Sequence, residues 1–354
     1  MIDVFRSTQL EPFARGREFG LVHAPRIKNN IEIYQSMFAR FGGTETSNLK
    51  AGGECLAITA AFAAPLHQEM LGIAEGADVD QSHIGMLNAR TEILAMLKAN
   101  LKGECSAVTY VPVDDTSPLA VQTWDWFYGL RDGWLVWEIP LADGSVTKTM
   151  TEYGIVGKTG LNTRGLGLLF TILHHTSDGQ KIGVPVHVAA RWVLDNAPNI
   201  AHAAQMLAAA DVSASSSINL VSHEDGVAAA ITVELFPGGP GFVLPDDKGF
   251  IVHTNHFIAQ KALAQDTEPK LNPDTLLRRA YLQRRLRALG AVSSAKILGI
   301  MASHSGGDGA VCCHHDSKSD PSEQYETLAT ITLDVRAGEL NVSRGGPCGR
   351  SHSP

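Results

Sequence analysis

The sequence predicts a layered α+β sandwich. Three observations point there: a helical texture up to about residue 104, short runs rich in Val, Thr and aromatic residues after it, and helical stretches between the later groups of strands. With 354 residues, 44% of them hydrophobic and 19% charged, the chain is long enough for one large layered unit or two ordinary domains. That composition excludes wholesale disorder.

Residues 13–41 carry apolar side chains three and four apart with charges between them, which predicts a helix broken at Pro25. The same spacing predicts helices over 56–73 and 84–101, the second behind a cap at Asp80 or Ser82. Strands follow over 106–113, 119–126, 134–141 and 149–156, and the turn Ala142-Asp143-Gly144-Ser145 marks a hairpin. Further strands are predicted over 167–173, 217–222 and 227–236, with helices over 186–196 and 200–210 separated by Pro198. Residues 237–241 form a Gly/Pro loop, and 250–252 read as a strand. Helices over 274–289 and 294–302 precede a closing hairpin, 327–335 and 339–342, joined by Arg336-Ala337-Gly338.

A net charge of −8 gives no overall positive field, so neither nucleic acid nor a membrane surface is an expected partner. The arginines at 278, 279, 284, 285 and 287 are spaced around leucines and a tyrosine and read as a solvated helix face. No apolar run approaches the roughly 20 residues of a membrane span, and no basic segment leads into an apolar one at the start. Five cysteines, Cys55, Cys105, Cys312, Cys313 and Cys348, are too few and scattered for a disulfide scaffold. A cytoplasmic location is the expectation.

Glu152-Tyr153-Gly154-Ile155-Val156-Gly157-Lys158-Thr159 is close to a phosphate-binding loop, but Glu152 stands where glycine is needed, so the stretch reads as a turn between strands. In Cys312-Cys313-His314-His315 adjacent side chains diverge. Nothing local completes a tetrahedral set, and His174-His175 is distant in sequence, so no metal and no cofactor is expected. His253 and His256 fall on opposite faces if the strand at 250–252 continues through them. Cys105 lies where helical texture gives way to strand, and Trp124-Asp125-Trp126-Phe127-Tyr128 sets one acid among four aromatics. A buried structural cysteine and a nucleophile both fit that placement.

Several stretches, taken in order, resemble the acyl-coenzyme A:isopenicillin N acyltransferase family of autoproteolytic N-terminal-nucleophile (Ntn) hydrolases. They are residues 13–20, Gly72 to Ala77, Met86 to Glu92, Thr123 to Phe127, Thr151 to Lys158, Gly183-Val184-Pro185 and His253-Thr254-Asn255-His256. The resemblance implies a four-layer αββα sandwich with two antiparallel sheets and a precursor that cuts itself between Glu104 and Cys105. The fragments 1–104 and 105–354 would stay associated as one structural domain, as a monomer or a homo-oligomer. By match, Cys105 is the nucleophile, Asp125 the acid that orients its freed amine, and Asn255 the oxyanion donor.

Two positions depart from the family pattern. Glu104 replaces the usual glycine before the nucleophile, and Cys313 stands at an arginine position, with His314 the nearest substitute. The implied function is an amidohydrolase acting on a small-molecule amide through an acyl-Cys105 thioester. The alternatives are an N-acyltransferase, drawing on acyl-CoA or another donor, an uncleaved non-enzymatic binding homologue, and a metal-dependent hydrolase using the late Cys/His cluster. Trp124, Trp126, Phe127 and Tyr128 are candidates to line the substrate pocket, or else core.

Overall fold

After a short strand β1 (Val4–Arg6), helix α1 (Pro12–Arg40) starts behind Glu11, whose carboxylate accepts the N–H groups of Phe13 and Ala14. The computed structural model describes residues 2–99, 105–114, 116–316, 318–320 and 323–349. Contrary to the expected break, α1 runs through Pro25. The proline sits on an exposed face, as does Leu21 four residues earlier, so the carbonyl deprived of its helical donor is open to solvent. The helix expected over 56–73 is two: α2 (Glu45–Phe62) and α3 (Ala64–Ala77), parted at Ala63, whose φ of −146° is non-helical ahead of Pro65. The helix expected over 84–101 is likewise α4 (Gln81–Asn88), capped by Asp80, and α5 (Arg90–Met96).

Helices α1 and α3 cross closely because glycines face backbone on both sides. A Cβ on Gly16 would run into the Glu69 carbonyl, and one on Gly72 into that of Phe13. Residues 13–20 and 72–77 are therefore one helix crossing.

The strands divide between two sheets. One has eight strands: β1, then β4 (Trp134–Pro140), β5 (Val146–Glu152), β6 (Thr159–Asn162), β7 (Leu166–Ile172), β8 (Ser216–Glu224), β9 (Val227–Leu235) and β10 (Gly241–Val243), in that spatial order. The other orders β11 (Phe250–His253), β2 (Ser106–Tyr110), β3 (Leu119–Phe127), β12 (Tyr325–Asp334) and β13 (Glu339–Arg344). The described pairings are antiparallel except β1 with β4, which is parallel and corrects the wholly antiparallel expectation. Residues 3–6 carry too short an apolar pattern to announce an edge strand from sequence.

Helices α6 (Val186–Asn196) and α7 (Ile200–Ala208) pack on one face of the eight-stranded sheet through Val186, Val193, Ala203 and Leu207 against Leu168, Phe170, Ile218 and Val233. A single-turn α8 (Glu268–Leu271) leads to α9 (Asp274–Arg287) and α10 (Ser294–Met301), which cover the five-stranded sheet through Leu282, Leu286, Ile297 and Met301 on Val108, Val121 and Val252. Between the sheets, Gln122 of β3 donates to the Phe170 carbonyl of β7 and Thr171 of β7 donates to the Thr254 carbonyl. The result is four layers, helix–sheet–sheet–helix.

Candidate active site

Cys105 immediately precedes β2, the strand flanked by β3 and β11, and is 5% exposed. Its thiol donates to the Asp125 carbonyl at 3.7 Å. Burial pushes the thiol up to about 11, with the Asp125 charge adding to the rise and Lys158 and Arg278 opposing it. A small cavity of about 10 Å³, roughly the room one water-sized probe needs, is lined by Cys105, Trp124, Asp125, Trp126, Lys158, Phe170, Ile172 and Asn255. Five sequence-nominated residues thus meet in one place: Cys105, Asp125, Asn255, Trp124 and Trp126. Opposite Trp124 and Asp125 the register of β12 slips between Thr327 and Ala329, a bulge that leaves Leu328 unpaired in the register.

Asn255 is held from three sides. Its Nδ2 donates to the Ile172 carbonyl at 3.0 Å, its backbone N–H donates to Thr275 Oγ1 at 2.9 Å, and its Oδ1 accepts from Arg278 at 3.1 Å. The guanidinium of Arg278 also donates to the Cys105 carbonyl at 3.0 Å and to Ser106 Oγ at 3.1 Å, and it pairs with Asp274 at 3.2 Å. Arg278 is 2% exposed, so the expectation of a solvated arginine face fails at this position. It is the guanidinium of the site, and it comes from α9. His314, the expected substitute for the family arginine, instead turns to Cys312, Cys348 and His304, and the Cys313 thiol donates to the Asp308 carbonyl at 3.3 Å.

Behind the tryptophans lies a buried polar cluster that includes Glu152 and Lys158 of the stretch that reads as a turn between strands. Glu152 accepts from Tyr34 and Arg90, the latter at 3.0 Å, and from Lys158 Nζ at 3.2 Å. Tyr34 in turn accepts from Trp126 Nε1 at 3.0 Å, while Lys158 Nζ sits 3.8 Å from the Trp124 ring centre and the Arg90 guanidinium 4.6 Å from that of Trp126. Burial pulls Lys158 down to about 7, Arg90 adding to the fall against the pull of Glu152. Burial acts to raise Glu152, yet Arg90 and Lys158 outweigh it and hold its carboxyl below the ordinary range. Burial, then Arg90 and Lys158, keep His187 neutral well below its usual value. A lysine poised near neutrality in a cavity with a thiol is suited to proton transfer.

A second cavity of about 320 Å³ shares Trp126 and Ile172 with the first; Leu94, Ala95, Leu173 and Leu271 give it an apolar wall, and His174 and Asp178 lie among its polar residues. His174 Nδ1 lies 2.5 Å from Glu268, and burial pushes Asp178 up to about 6. Phe127 and Tyr128 line neither cavity: Phe127 packs edge-on to Tyr325 and Tyr128 lies against His315. Glu104, half of the expected cleavage site, lies outside the described residues. No described helix is long and apolar enough to cross a membrane.

The profile of the acyl-coenzyme A:6-aminopenicillanic acid acyl-transferase family matches residues 114–347, a span that holds Asp125, Lys158, Asn255 and Arg278 and begins just after Cys105. The 40 kDa form of acyl-coenzyme A:6-aminopenicillanic-acid-acyltransferase from Emericella nidulans is 27% identical over 230 residues, which cover 65% of this chain and 62% of that relative. Among solved structures, an N-acylethanolamine-hydrolyzing acid amidase ortholog from Caenorhabditis elegans superposes with a TM-score of 0.47 at 11% identity, over 66% of this chain and 93% of the other. A penicillin V acylase from Agrobacterium tumefaciens gives 0.40 at 14% identity, over 68% and 83%.

Proposed function

The chain belongs to the acyl-coenzyme A:6-aminopenicillanic acid acyl-transferase family, and on that premise we propose that it is an Ntn amidohydrolase whose nucleophile is Cys105, freed by self-cleavage of the Glu104–Cys105 bond. The observation that carries this reading is the meeting of Cys105 with Asn255, Asp125 and Lys158 in one buried cavity beside a larger apolar one.

The chemistry follows from where protons can go. In the precursor the Cys105 nitrogen is an amide and cannot act as a base, so the thiol needs another acceptor. Lys158, held near neutrality, fills that role as the sulfur attacks the Glu104 carbonyl. The C–N bond breaks, its nitrogen takes the proton, and water hydrolyses the thioester to free the new terminus. The released α-amine, with a reference pKa of about 7.7–8.0, then serves as base in turnover. Asp125 orients it. The thiolate attacks the substrate amide, Asn255 Nδ2 stabilises the oxyanion, and the amine departs with the proton. Water then hydrolyses the acyl-Cys105 thioester and restores the thiol.

Arg278 fixes Asn255 and the Cys105 carbonyl together, a fork that a single ammonium would not reproduce. The apolar cavity suits an acyl or aryl group. Lys98 is the sole Lys or Arg among its described lining residues, which favours water over a phosphate-rich acyl-CoA as reaction partner. Intact mass measurement tests the reading. Wild type separates into residues 1–104 and 105–354 and Cys105→Ala stays whole; an uncut wild type with full amidase activity overturns the N-terminal mechanism.

A further inference from the structure

At the end of the β12–β13 hairpin away from its turn, three chain segments bring four metal-binding side chains together. His304 follows α10, Cys312 and His314 lie in the loop before β12, and Cys348 lies beyond the end of β13. Their ligand atoms all fall within 4.8 Å of one another. Within that group, Cys312 Sγ is 3.6 Å and Cys348 Sγ 3.4 Å from His314 Nε2, and His304 Nε2 is 3.1 Å from the same nitrogen. Zinc takes sulfur at about 2.3 Å and imidazole nitrogen at about 2.0–2.1 Å, so a regular tetrahedron requires N–S edges of about 3.6 Å and an N–N edge of about 3.3 Å. The three edges that meet at His314 match to within a few tenths of an ångström, and the other three are no longer than 4.8 Å.

From this geometry we propose that Cys312, His314, His304 and Cys348 bind one zinc ion in a closed Cys2His2 site. Local sequence spacing does not announce this group. The second ligand from the loop is two residues from Cys312, and the remaining two arrive from outside it. Gly346 makes the closure feasible, since a Cβ there would collide with Cys312 Sγ. Two thiolates and two imidazoles favour zinc over the hard cations, and four protein ligands leave no position for substrate, so the site is structural and the metal-dependent hydrolase reading gains nothing from it. Both histidines bind through Nε2, which puts the proton on Nδ1. Binding converts two thiols to thiolates and releases two protons per zinc.

The ion would tie the chain beyond β13 to the loop entering β12. That loop is anchored by the Cys313 N–H on Thr327 Oγ1 at 3.0 Å, and Thr327 registers with Asp125 on β3. The site thus braces the strand pair that carries Asp125, and it stands whether or not Cys105 is a nucleophile.

The test is metal content of the full chain, purified without a polyhistidine tag or chelator after growth with zinc. About one zinc per chain is expected, retained in Cys105→Ala and lost in Cys348→Ser and in His304→Ala. Because those variants can misfold, cobalt substitution of the wild type supplies a second reading: a thiolate-to-cobalt charge-transfer band with tetrahedral visible bands is expected. Chelation should lower Tm, and zinc should restore it. Wild type without zinc, zinc retained at full occupancy in both variants, a cobalt spectrum without thiolate bands, or peptide mapping that finds Cys312 disulfide-bonded to Cys348 overturns the proposal.

Discussion

Two buried ionic clusters flank the eight-stranded sheet, and they differ in how their charges balance. In one, Arg15 of α1 and Arg191 of α6 meet Glu69 of α3, and Arg191 also holds Asp195 at 2.8 Å: two cations and two carboxylates, the first three residues buried and Asp195 half-buried. Arg191 further donates to the Val156 carbonyl, so the cluster ties three helices to the turn before β6. In the other, Arg90 and Lys158 both pair with Glu152. Glu92, which also interacts with Arg90, is itself pushed up to about 7 by burial. In the balanced cluster each guanidinium has a carboxylate partner. The unbalanced one leaves a lysine whose charge is marginal, and that lysine faces the Cys105 cavity. The imbalance marks the site, because a buried group short of a counter-charge can change protonation at little cost.

The sharpest way to break the comparison is to unbalance the first cluster. Glu69→Ala strands the buried Arg15 guanidinium and takes one of its two carboxylates from Arg191, and a loss of about 3–5 kcal/mol in urea unfolding is expected. Self-cleavage in the protein that remains folded should persist. Lys158→Met should do the reverse: it removes the surplus charge at small cost in stability while slowing self-cleavage about 10²-fold or more. Time courses of fragment formation measure the rate. A Lys158→Met protein that cleaves at the wild-type rate would remove the lysine from the precursor chemistry.

The sequence shows elements well where local rules suffice. Helix α6 falls between Pro185 and Pro198 as its spacing predicts, and Asp143-Gly144 turns β4 into β5 with Gly144 at φ 85°. It misleads where composition hides position. Arg278 belongs to an arginine-rich run, yet it lies four and eight residues before Leu282 and Leu286, on the stripe that α9 buries. That spacing was the available signal. Lys158 was hidden in a turn because its partner Glu152 stands six residues back, across the loop from β5 to β6, where no helical or strand period relates them. For His304 and Cys348 no local signal exists; only the tertiary fold brings them to His314.

The smallest expected effect is a pH signature of the unbalanced cluster. The folded state holds Glu92 at about 7 against an ordinary value of 4.5, so between these values the folded chain binds more protons than the unfolded one. Stability therefore falls as pH rises through that window. Lys158 runs oppositely: at about 7 folded against 10.5, the folded chain binds fewer protons above 7, and stability rises with pH there. The two limbs should meet in a shallow trough near neutrality, each with a slope of at most about 1.4 kcal/mol per pH unit. Glu92→Gln should flatten the acid limb only in part, since Asp178, pushed up to about 6, contributes in the same direction. It should leave the alkaline limb intact, whereas Lys158→Met flattens the alkaline limb alone. Denaturant midpoints from pH 5 to 9 for the three proteins separate these outcomes. A Glu92→Gln protein with an unchanged acid limb would mean that Glu92 keeps its charge, and the second cluster would then be as balanced as the first.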